Sequence, residues 1–579
     1  MLIAVLSALT KIGINSFTGL FWHFRREITS YLISNVGNWL AVVYWVLHGV
    51  VLLCAAVYWT SKFGLQAIGS GAAPSRSRAL PPRSRALTRI SAGIPEVKSI
   101  LSVRCPCRCP LIQHALTILS QGSNPRNFLT SSCFFSKVVG LSLAVASGLQ
   151  IGSEGPDIHI AVIISRMLIS SSYFGFALRS KDTTKLVFTA AAAAGVATSF
   201  GAPMSGVMFT VEIVGSYFVV AHYTSMFTAS MVAGSVFMLL NNLVQDNALI
   251  DSEYNLSNCN TVLQSALFKA ICSIKNYTPI YKYVTTQSKL VFVSSFWNLL
   301  AYVFIGAVFG LLSAAYIGAQ SKLRHALQPI MQRHRYLLPV LVAIVSGLLT
   351  FPGFTEFLSY MPKRSMQDML LSRPLDSPTD PKLDLIAHAN DWASTGSVIG
   401  SLAVYFVVKL ALLAFAIVLP IPCGFLGPIM TLGAAGGRFF GEVFVMWGLV
   451  NDSVRPEAFA IAGAAAFATG MSRALVTPLL FFEMTGQINQ PFSVFVAVIT
   501  AYLVGDKLSL SMYDTLGVIG STFSLRQFKR ADAMSGQSST SALSCPVYIA
   551  ARNTEVVALS RSCRRPPPPP HSKFSPCCI

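Results

Sequence analysis

Residues 410–437 read LALLAFAIVLPIPCGFLGPIMTLGAAGG and contain no charged side chain. A helix that spans a bilayer needs about 20 predominantly apolar residues, so this stretch is long enough to cross a membrane. Prolines and glycines interrupt it at 420–428, where a continuous helix would lose backbone hydrogen bonds. Broken helices are tolerated in membranes where they line a pathway enclosed by protein. The stretch therefore predicts a membrane protein of the transporter or channel type.

The rest of the chain has the same character. Of its 579 residues, 53% are hydrophobic and only 11% are charged, whereas soluble domains carry charge on about 25% of their residues. Each further uncharged stretch of sufficient length is a candidate spanning helix, and these stretches are 28–61, 186–211, 213–245, 290–321 and 484–505. We therefore expect an all-α polytopic membrane protein.

The charge balance points to a membrane rather than to nucleic acid. The chain has 43 Lys and Arg against 23 Asp and Glu, a formal net charge of +20. The excess basic residues lie mostly between or beyond the apolar stretches, as they do in cytoplasmic loops. They form no recognisable nucleic-acid-binding fold. The clustered cysteines Cys105, Cys107 and Cys109 lack a zinc spacing, so we expect a lipid bilayer as the partner and no metal or other cofactor.

Three glycine-bearing motifs lie at the ends of apolar segments, and a tyrosine follows the last segment. They are Gly69-Ser70-Gly71, Gly152-Ser153-Glu154-Gly155-Pro156 and Gly424-Phe425-Leu426-Gly427-Pro428, followed by Tyr513. Glycine lets the backbone approach a ligand closely, and proline is best tolerated just inside a helix start. The motifs with Pro156 and Pro428 therefore predict helix amino termini, whose bare N–H groups can bind an anion. Two such termini at one place would hold an anion weakly enough for rapid passage.

In their order along the chain, these motifs resemble those of the CLC family of chloride channels and chloride/proton exchangers. The family's first motif is matched in two pieces, Gly69-Ser70-Gly71 and Ile94-Pro95-Glu96. The second is similar to the Glu154 motif together with His159-Ile160-Ala161, and the third to the Phe425 motif preceded by Pro422-Cys423. Further matches are Phe351-Pro352-Gly353-Phe354, Phe482-Glu483-Met484-Thr485-Gly486-Gln487 and Tyr513-Asp514.

The resemblance implies a CLC-type inverted-repeat bundle of short, tilted and broken helices. It also implies a homodimer with one pore per subunit. Carried over residue by residue, the hydroxyls of Ser70 and Tyr513 and the backbone N–H groups of Phe425 and Leu426 would bind chloride. The carboxylate of Glu154 would be a gate that competes with chloride. Chloride would be the transported ion, with no enzymatic reaction, and we expect the plasma membrane rather than an intracellular vesicle.

Three positions depart from the family pattern. Ser153 replaces a basic residue, so we expect a positive charge beside the entrance to be missing. Leu426 replaces an aromatic residue but keeps its N–H donor. Ile213 stands where the exchangers have an internal proton acceptor, and an isoleucine cannot carry a proton. These residues favour a voltage-gated chloride channel, with a proton-coupled chloride exchanger as the alternative.

Two segments look like foreign insertions, 72–93 with five arginines and 103–120 with the cysteine cluster. We expect both to be flexible and solvent-exposed. The first separates Ser70 from the helix that Ile94 would begin, so a non-conducting regulatory or splice-variant subunit is a further alternative. We expect a transmembrane domain over 1–514. A cytoplasmic, mostly disordered basic and proline-rich tail would follow over 515–579, without the paired CBS domains of animal relatives.

Overall fold

The computed structural model describes residues 1–63, 70–71, 89–90, 129–171, 181–214, 222–248, 296–370, 392, 396–449, 455–485 and 491–520. Within these ranges the chain is almost entirely helical, with one pair of two-residue strands. The elements are α1 Leu2–Asn35, α2 Asn38–Phe63, β1 Ser70–Gly71, β2 Arg89–Ile90, α3 Ser131–Ala146, α4 Glu154–Ser170, α5 Lys181–Phe200, α6 Pro203–Phe209, a π-helical turn Thr210–Val214, α7 Tyr223–Ala248, α8 Phe296–Arg333, α9 Leu337–Leu349, α10 Glu356–Ser359, α11 Pro362–Met369, α12 Val398–Val418, α13 Leu426–Met446, α14 Pro456–Ser472, α15 Thr477–Thr485, α16 Pro491–Leu508 and α17 Met512–Gly520.

Seven helical segments of the described chain are long and apolar enough to cross a membrane. They are Leu2–Asn35, Asn38–Phe63, Tyr223–Asn241, Asn298–Met331, Val398–Val418, Leu426–Met446 and Pro491–Leu516. Shorter apolar helices accompany them, including α3 and α9. The prediction of an all-α membrane protein with long and broken helices is therefore confirmed.

The uncharged runs of the sequence do not each form one spanning helix, so that expectation is wrong at several breaks. The run 28–61 contains the junction of α1 and α2, where Gly37 has φ +138°, a conformation that favours glycine. The run 186–211 is divided because α5 ends at Phe200 and α6 begins with Pro203. The run 410–437 is divided between α12 and α13. Glycine and proline end these helices where no charge marks the boundary.

Small residues hold α13 against α14. A Cβ added at Gly433 would lie 2.5 Å from the carbonyl oxygen of Gly463, and one at Gly463 would lie 2.5 Å from that of Gly433. A Cβ at Gly437 would collide with the carbonyl of Phe459. Such close approach of backbones is a main source of helix association in membranes. The contact fixes the direction of α13, whose first residues enter the site described below.

Two glutamates link the halves of the chain reciprocally. Glu212, in the π-helical turn, accepts hydrogen bonds from the N–H groups of Leu475 at 2.8 Å and Val476 at 3.0 Å, just before α15. Glu483 of α15 accepts from the N–H groups of Met204 at 2.8 Å and Ser205 at 2.9 Å, in the first turn of α6. Each carboxylate therefore satisfies unpaired N–H groups at a helix start in the other half. This reciprocity is what two inverted repeats produce.

Candidate anion site

Two helix amino termini meet at a short backbone bridge. The N–H of Gly152 donates to the carbonyl of Gly424 at 2.9 Å, and the N–H of Gly424 donates to the carbonyl of Gly152 at 2.6 Å. Two residues beyond each glycine a helix begins, α4 at Glu154 and α13 at Leu426. The prediction that both motifs mark helix amino termini is confirmed. Side by side, the two termini concentrate their partial positive charges at one place.

The side chain of Glu154 lies in the space between these termini. It is 9% exposed, and a Cβ at Gly152, Gly424 or Gly427 would collide with its carboxylate. The backbone N–H groups of Gly427 and of Glu154 itself interact with the carboxylate, while its Oε2 is buried without a hydrogen-bond partner among the described residues. A carboxylate thus occupies the position where two helix starts would hold a free anion.

The residues expected to bind chloride border the same space. Phe425, Leu426 and Tyr513 are all buried. The rings of Phe425 and Tyr513 lie 4.8 Å apart between centroids, with 41° between their planes. Tyr513 also interacts electrostatically with Glu154. The structure therefore brings four predicted site residues together, and their roles in chloride binding stay predictions.

The start of α17 places Tyr513. Ser511 precedes this helix, and its hydroxyl accepts a hydrogen bond from the N–H of Asp514 at 3.0 Å and donates to the Asp514 carboxylate at 2.7 Å. This is a side-chain cap of a helix start. Because Tyr513 is the second residue of α17, the cap fixes the turn from which its ring reaches Phe425.

The first glycine motif is described only in its backbone. Ser70 and Gly71 form β1, which pairs antiparallel with Arg89 and Ile90 of β2, so that Ser70 lies opposite Ile90. Strand β2 lies against α17. In the segment 72–93, which is expected to be flexible, Ile90 is thus the strand partner of the predicted chloride ligand Ser70, and Arg89 is the partner of Gly71.

Other predicted residues and segments lie outside the described part of the chain. They are the side chain of Ser70, residues Gly69, Ile94 and Pro95, the remainder of 72–93, the segment 103–120, and the tail from 521 onward. The predictions for them stay predictions.

The position expected to separate channels from exchangers is buried. Ile213 lies in the π-helical turn and is 5% exposed. Its neighbour Glu212 is engaged with the N–H groups of Leu475 and Val476.

A cation that the motif analysis missed lies beside Glu154. Lys11 of α1 donates hydrogen bonds to the hydroxyl of Ser153 and, at 2.6 Å, to the carboxylate of Asp157. The expectation that a positive charge is missing there is wrong, because the charge arrives from a helix 142 residues earlier in the chain. Two features of the sequence signal it, a lysine inside the first apolar helix and an aspartate directly after Pro156.

A helical membrane bundle that directs two helix amino termini at one buried carboxylate contains a site of the kind that binds anions in proteins. The family model described as voltage gated chloride channel matches residues 108–506. The chain belongs to this family.

Curated relatives carry chloride channel names. The chain is 28% identical over 517 residues to chloride channel protein 2 of Homo sapiens, covering 86% of this chain and 49% of that protein. It is 26% identical over 530 residues to the chloride channel protein of Torpedo marmorata, covering 89% of this chain and 57% of that protein. The chain spans about half the length of the curated relatives it matches.

Solved structures share the fold. A eukaryotic CLC transporter matches with a TM-score of 0.61 at 23% identity, over 90% of this chain and 72% of that one. A slow cyanobacterial Cl⁻/H⁺ antiporter matches with a TM-score of 0.56 at 15% identity, over 93% of this chain and 97% of that one. At these identities the likeness establishes the architecture alone.

Proposed function

We propose that this chain is a voltage-gated chloride channel that conducts chloride passively through a pore gated by Glu154. The observation that carries the proposal is the Glu154 carboxylate held between the amino termini of α4 and α13. While the carboxylate is charged, it fills the position of an anion. When it is protonated or displaced, the same N–H groups become available to chloride. The gate therefore responds to external acid and to the membrane potential.

Chloride is the proposed permeant ion because the curated relatives bear the name chloride channel. The backbone N–H groups of Phe425 and Leu426 and the hydroxyls of Tyr513 and Ser70 are its proposed ligands. This donor set contains no full positive charge, so the ion is bound weakly and leaves quickly. The proposal includes a homodimer with one pore per subunit in the plasma membrane, and it needs no cofactor and no enzymatic reaction.

Substitution of the gate tests this proposal. Glu154→Gln and Glu154→Ala remove the charge that competes with chloride, so patch-clamp recordings should show chloride current largely independent of voltage and external pH. Glu27→Gln is the matched control, because Glu27 is a surface carboxylate 68% exposed in its side chain. Gating unchanged by both Glu154 substitutions would remove Glu154 from this role.

Passive conduction is distinguished from exchange by the reversal potential. With Ile213 at the expected proton-acceptor position and Glu212 engaged in helix capping, no proton route to Glu154 is proposed. The reversal potential at fixed chloride should therefore not move when a pH difference is imposed across the membrane. A steady shift toward the proton equilibrium potential would make the chain an exchanger.

Removal of the two insertions tests the non-conducting alternative. The segment 72–93 contains five arginines and follows the predicted ligand Ser70 in the sequence, and burying unpaired arginines in a membrane would be costly. Deleting 72–93 together with 103–120 should raise surface current strongly over that of the full chain. Equal currents at equal surface expression would show that both segments are tolerated.

A further inference from the structure

A buried ion pair lies next to the gate. The Nζ of Lys11 and the Oδ2 of Asp157 are 2.6 Å apart, and their side chains are only 7% and 4% exposed. The hydroxyl of Ser153, the residue directly before Glu154, accepts from the same lysine. The hydroxyl of Ser199 donates to the same aspartate oxygen at 3.0 Å. Both charges are thus held in place by several contacts beside the first turn of α4.

Both charges act on the gate. Lys11 and Asp157 interact electrostatically with Glu154 with opposite sign. Lys363, an exposed residue of α11, interacts in turn with Lys11. Charges in a poorly hydrated site are weakly screened, so one elementary charge changes the local potential for an anion substantially.

We propose that the Lys11–Asp157 pair sets the rate of anion entry at the gate, with Lys11 supplying the positive potential and Asp157 limiting it. The proposal rests on the channel function proposed above. It assigns to α1 the cation that a basic residue at position 153 would otherwise supply.

The partner of the lysine follows from the cost of burial. A lone cation inside a membrane protein is strongly unfavourable, and a carboxylate partner offsets that cost. A basic residue at position 153 would belong to the same segment as Glu154. Lys11 instead comes from the first third of another helix, α1, and needs a fixed partner to hold its side chain beside the gate. Asp157 can act as this partner because residues 153 and 157 are four positions apart and lie on the same face of α4. One lysine can therefore contact both side chains.

Unitary chloride conductance measured in the full chain at low chloride concentration tests the pair. This quantity does not depend on how many channels fold, so a purely structural role would not change it. We expect Lys11→Gln to lower it about threefold and Asp157→Asn to raise it about twofold, since the potential at the entrance changes in opposite directions. The double substitution Lys11→Gln/Asp157→Asn should return it close to the wild-type value.

Rescue and control variants complete the experiment. Lys11→Gln/Ser153→Lys returns a cation to the position before Glu154 and should restore most of the conductance. Lys62→Gln removes an exposed lysine of α2 and should leave the conductance unchanged. If Lys11→Gln does not reach the membrane, Asp157→Asn and Lys11→Met/Asp157→Leu still measure the effect of the pair.

The outcomes separate this inference from the proposed function. If the wild-type chain conducts chloride and neither Lys11→Gln nor Asp157→Asn changes the unitary conductance, the charge pair is structural only and the inference is overturned while the channel function stands. If neither the full chain nor the chain without 72–93 and 103–120 carries chloride, the channel function fails and the inference fails with it. Opposite shifts for the two substitutions, with rescue by Ser153→Lys, support the inference.

Discussion

The start of α4 and the start of α13 have the same backbone plan but opposite chemistry. Both follow the Gly152–Gly424 bridge, and both have a proline as the third helical residue. The start of α4 carries the Glu154 carboxylate. The start of α13 carries no charged residue within 422–430, and Phe425 there packs its ring on Tyr513.

The difference suits the two helix starts to different proposed roles, chloride binding at α13 and gating at α4. At α13 the proposed ligands are backbone dipoles and a neighbouring hydroxyl, whose strength would not change with pH or voltage in the physiological range. At α4 an ionisable group occupies the position, and the ion pair of Lys11 with Asp157 lies beside it. In the proposed channel, the start of α13 would hold the ion and the start of α4 would decide when the ion has access.

The largest expected effect comes from filling the space between the two starts. The three nearest atoms to a Cβ at Gly427 all belong to the Glu154 side chain, whereas a Cβ at Gly424 also lies 3.0 Å from the backbone nitrogen of Glu154. Both Gly427→Ala and Gly424→Ala should reduce wild-type gated chloride current more than tenfold, because overpacking costs about 1–3 kcal/mol and displaces the gate. Currents would be recorded at matched surface expression.

A second substitution distinguishes the two glycines. Adding Glu154→Ala removes the side chain that the new Cβ at position 427 meets, so it should restore current to Gly427→Ala. It should not restore current to Gly424→Ala, where the new Cβ also meets the backbone of residue 154. Gly318→Ala is the control, since nothing lies within 4 Å of a Cβ there. Equal rescue of both variants would show that the backbone bridge tolerates a side chain.

The starts of α6 and α15 form a second pair of helix starts, each capped by a glutamate from the other half of the chain. Glu212→Gln and Glu483→Gln each weaken two charge-assisted hydrogen bonds to N–H groups. Each should lower the free energy of unfolding in detergent by about 1–3 kcal/mol. Because the contacts are reciprocal, we expect similar losses. A loss confined to one variant would show that the two halves are not equivalent.

At the start of α13, two substitutions distinguish what side chains and backbone contribute to chloride binding. Tyr513→Phe keeps the ring contact with Phe425 but removes the hydroxyl, so it should weaken chloride binding measured by titration calorimetry on the detergent-purified chain. Phe425→Leu keeps the backbone N–H but loses the ring contact, so it should lower stability by about 0.5–1.5 kcal/mol and leave chloride affinity nearly unchanged. Equal loss of affinity in both variants would contradict a role for the backbone alone at Phe425.

The smallest expected effect is at the start of α17. Ser511→Ala removes the cap that receives the Asp514 N–H and should lower the free energy of unfolding by about 1 kcal/mol. The control is Ser34→Ala, because the Ser34 hydroxyl donates within an exposed turn of α1. No change relative to that control would mean that packing on Phe425 alone holds this helix start.

Much of this architecture is legible in the sequence because its signals are local. Apolar length and the scarcity of charge predict membrane helices, and glycine with proline predicts where α4 and α13 begin. The same local signals fail at the junction of α1 with α2 and at Phe200, where a run without charge is divided between two helices. Periodicity and composition do not reveal such a break, because it depends on one residue's backbone conformation, as at Gly37.

The sequence by itself determined the membrane class, the helix starts and the identity of the residues around Glu154. Only the tertiary structure decided that Gly152 and Gly424 join the two starts, that three glycines enclose one carboxylate, and that Lys11 contacts Ser153 and Asp157 beside Glu154. The physical reason is that motif spacing reports chemistry along one segment. A contact between segments far apart in the chain depends on the path of the helices that bring them together.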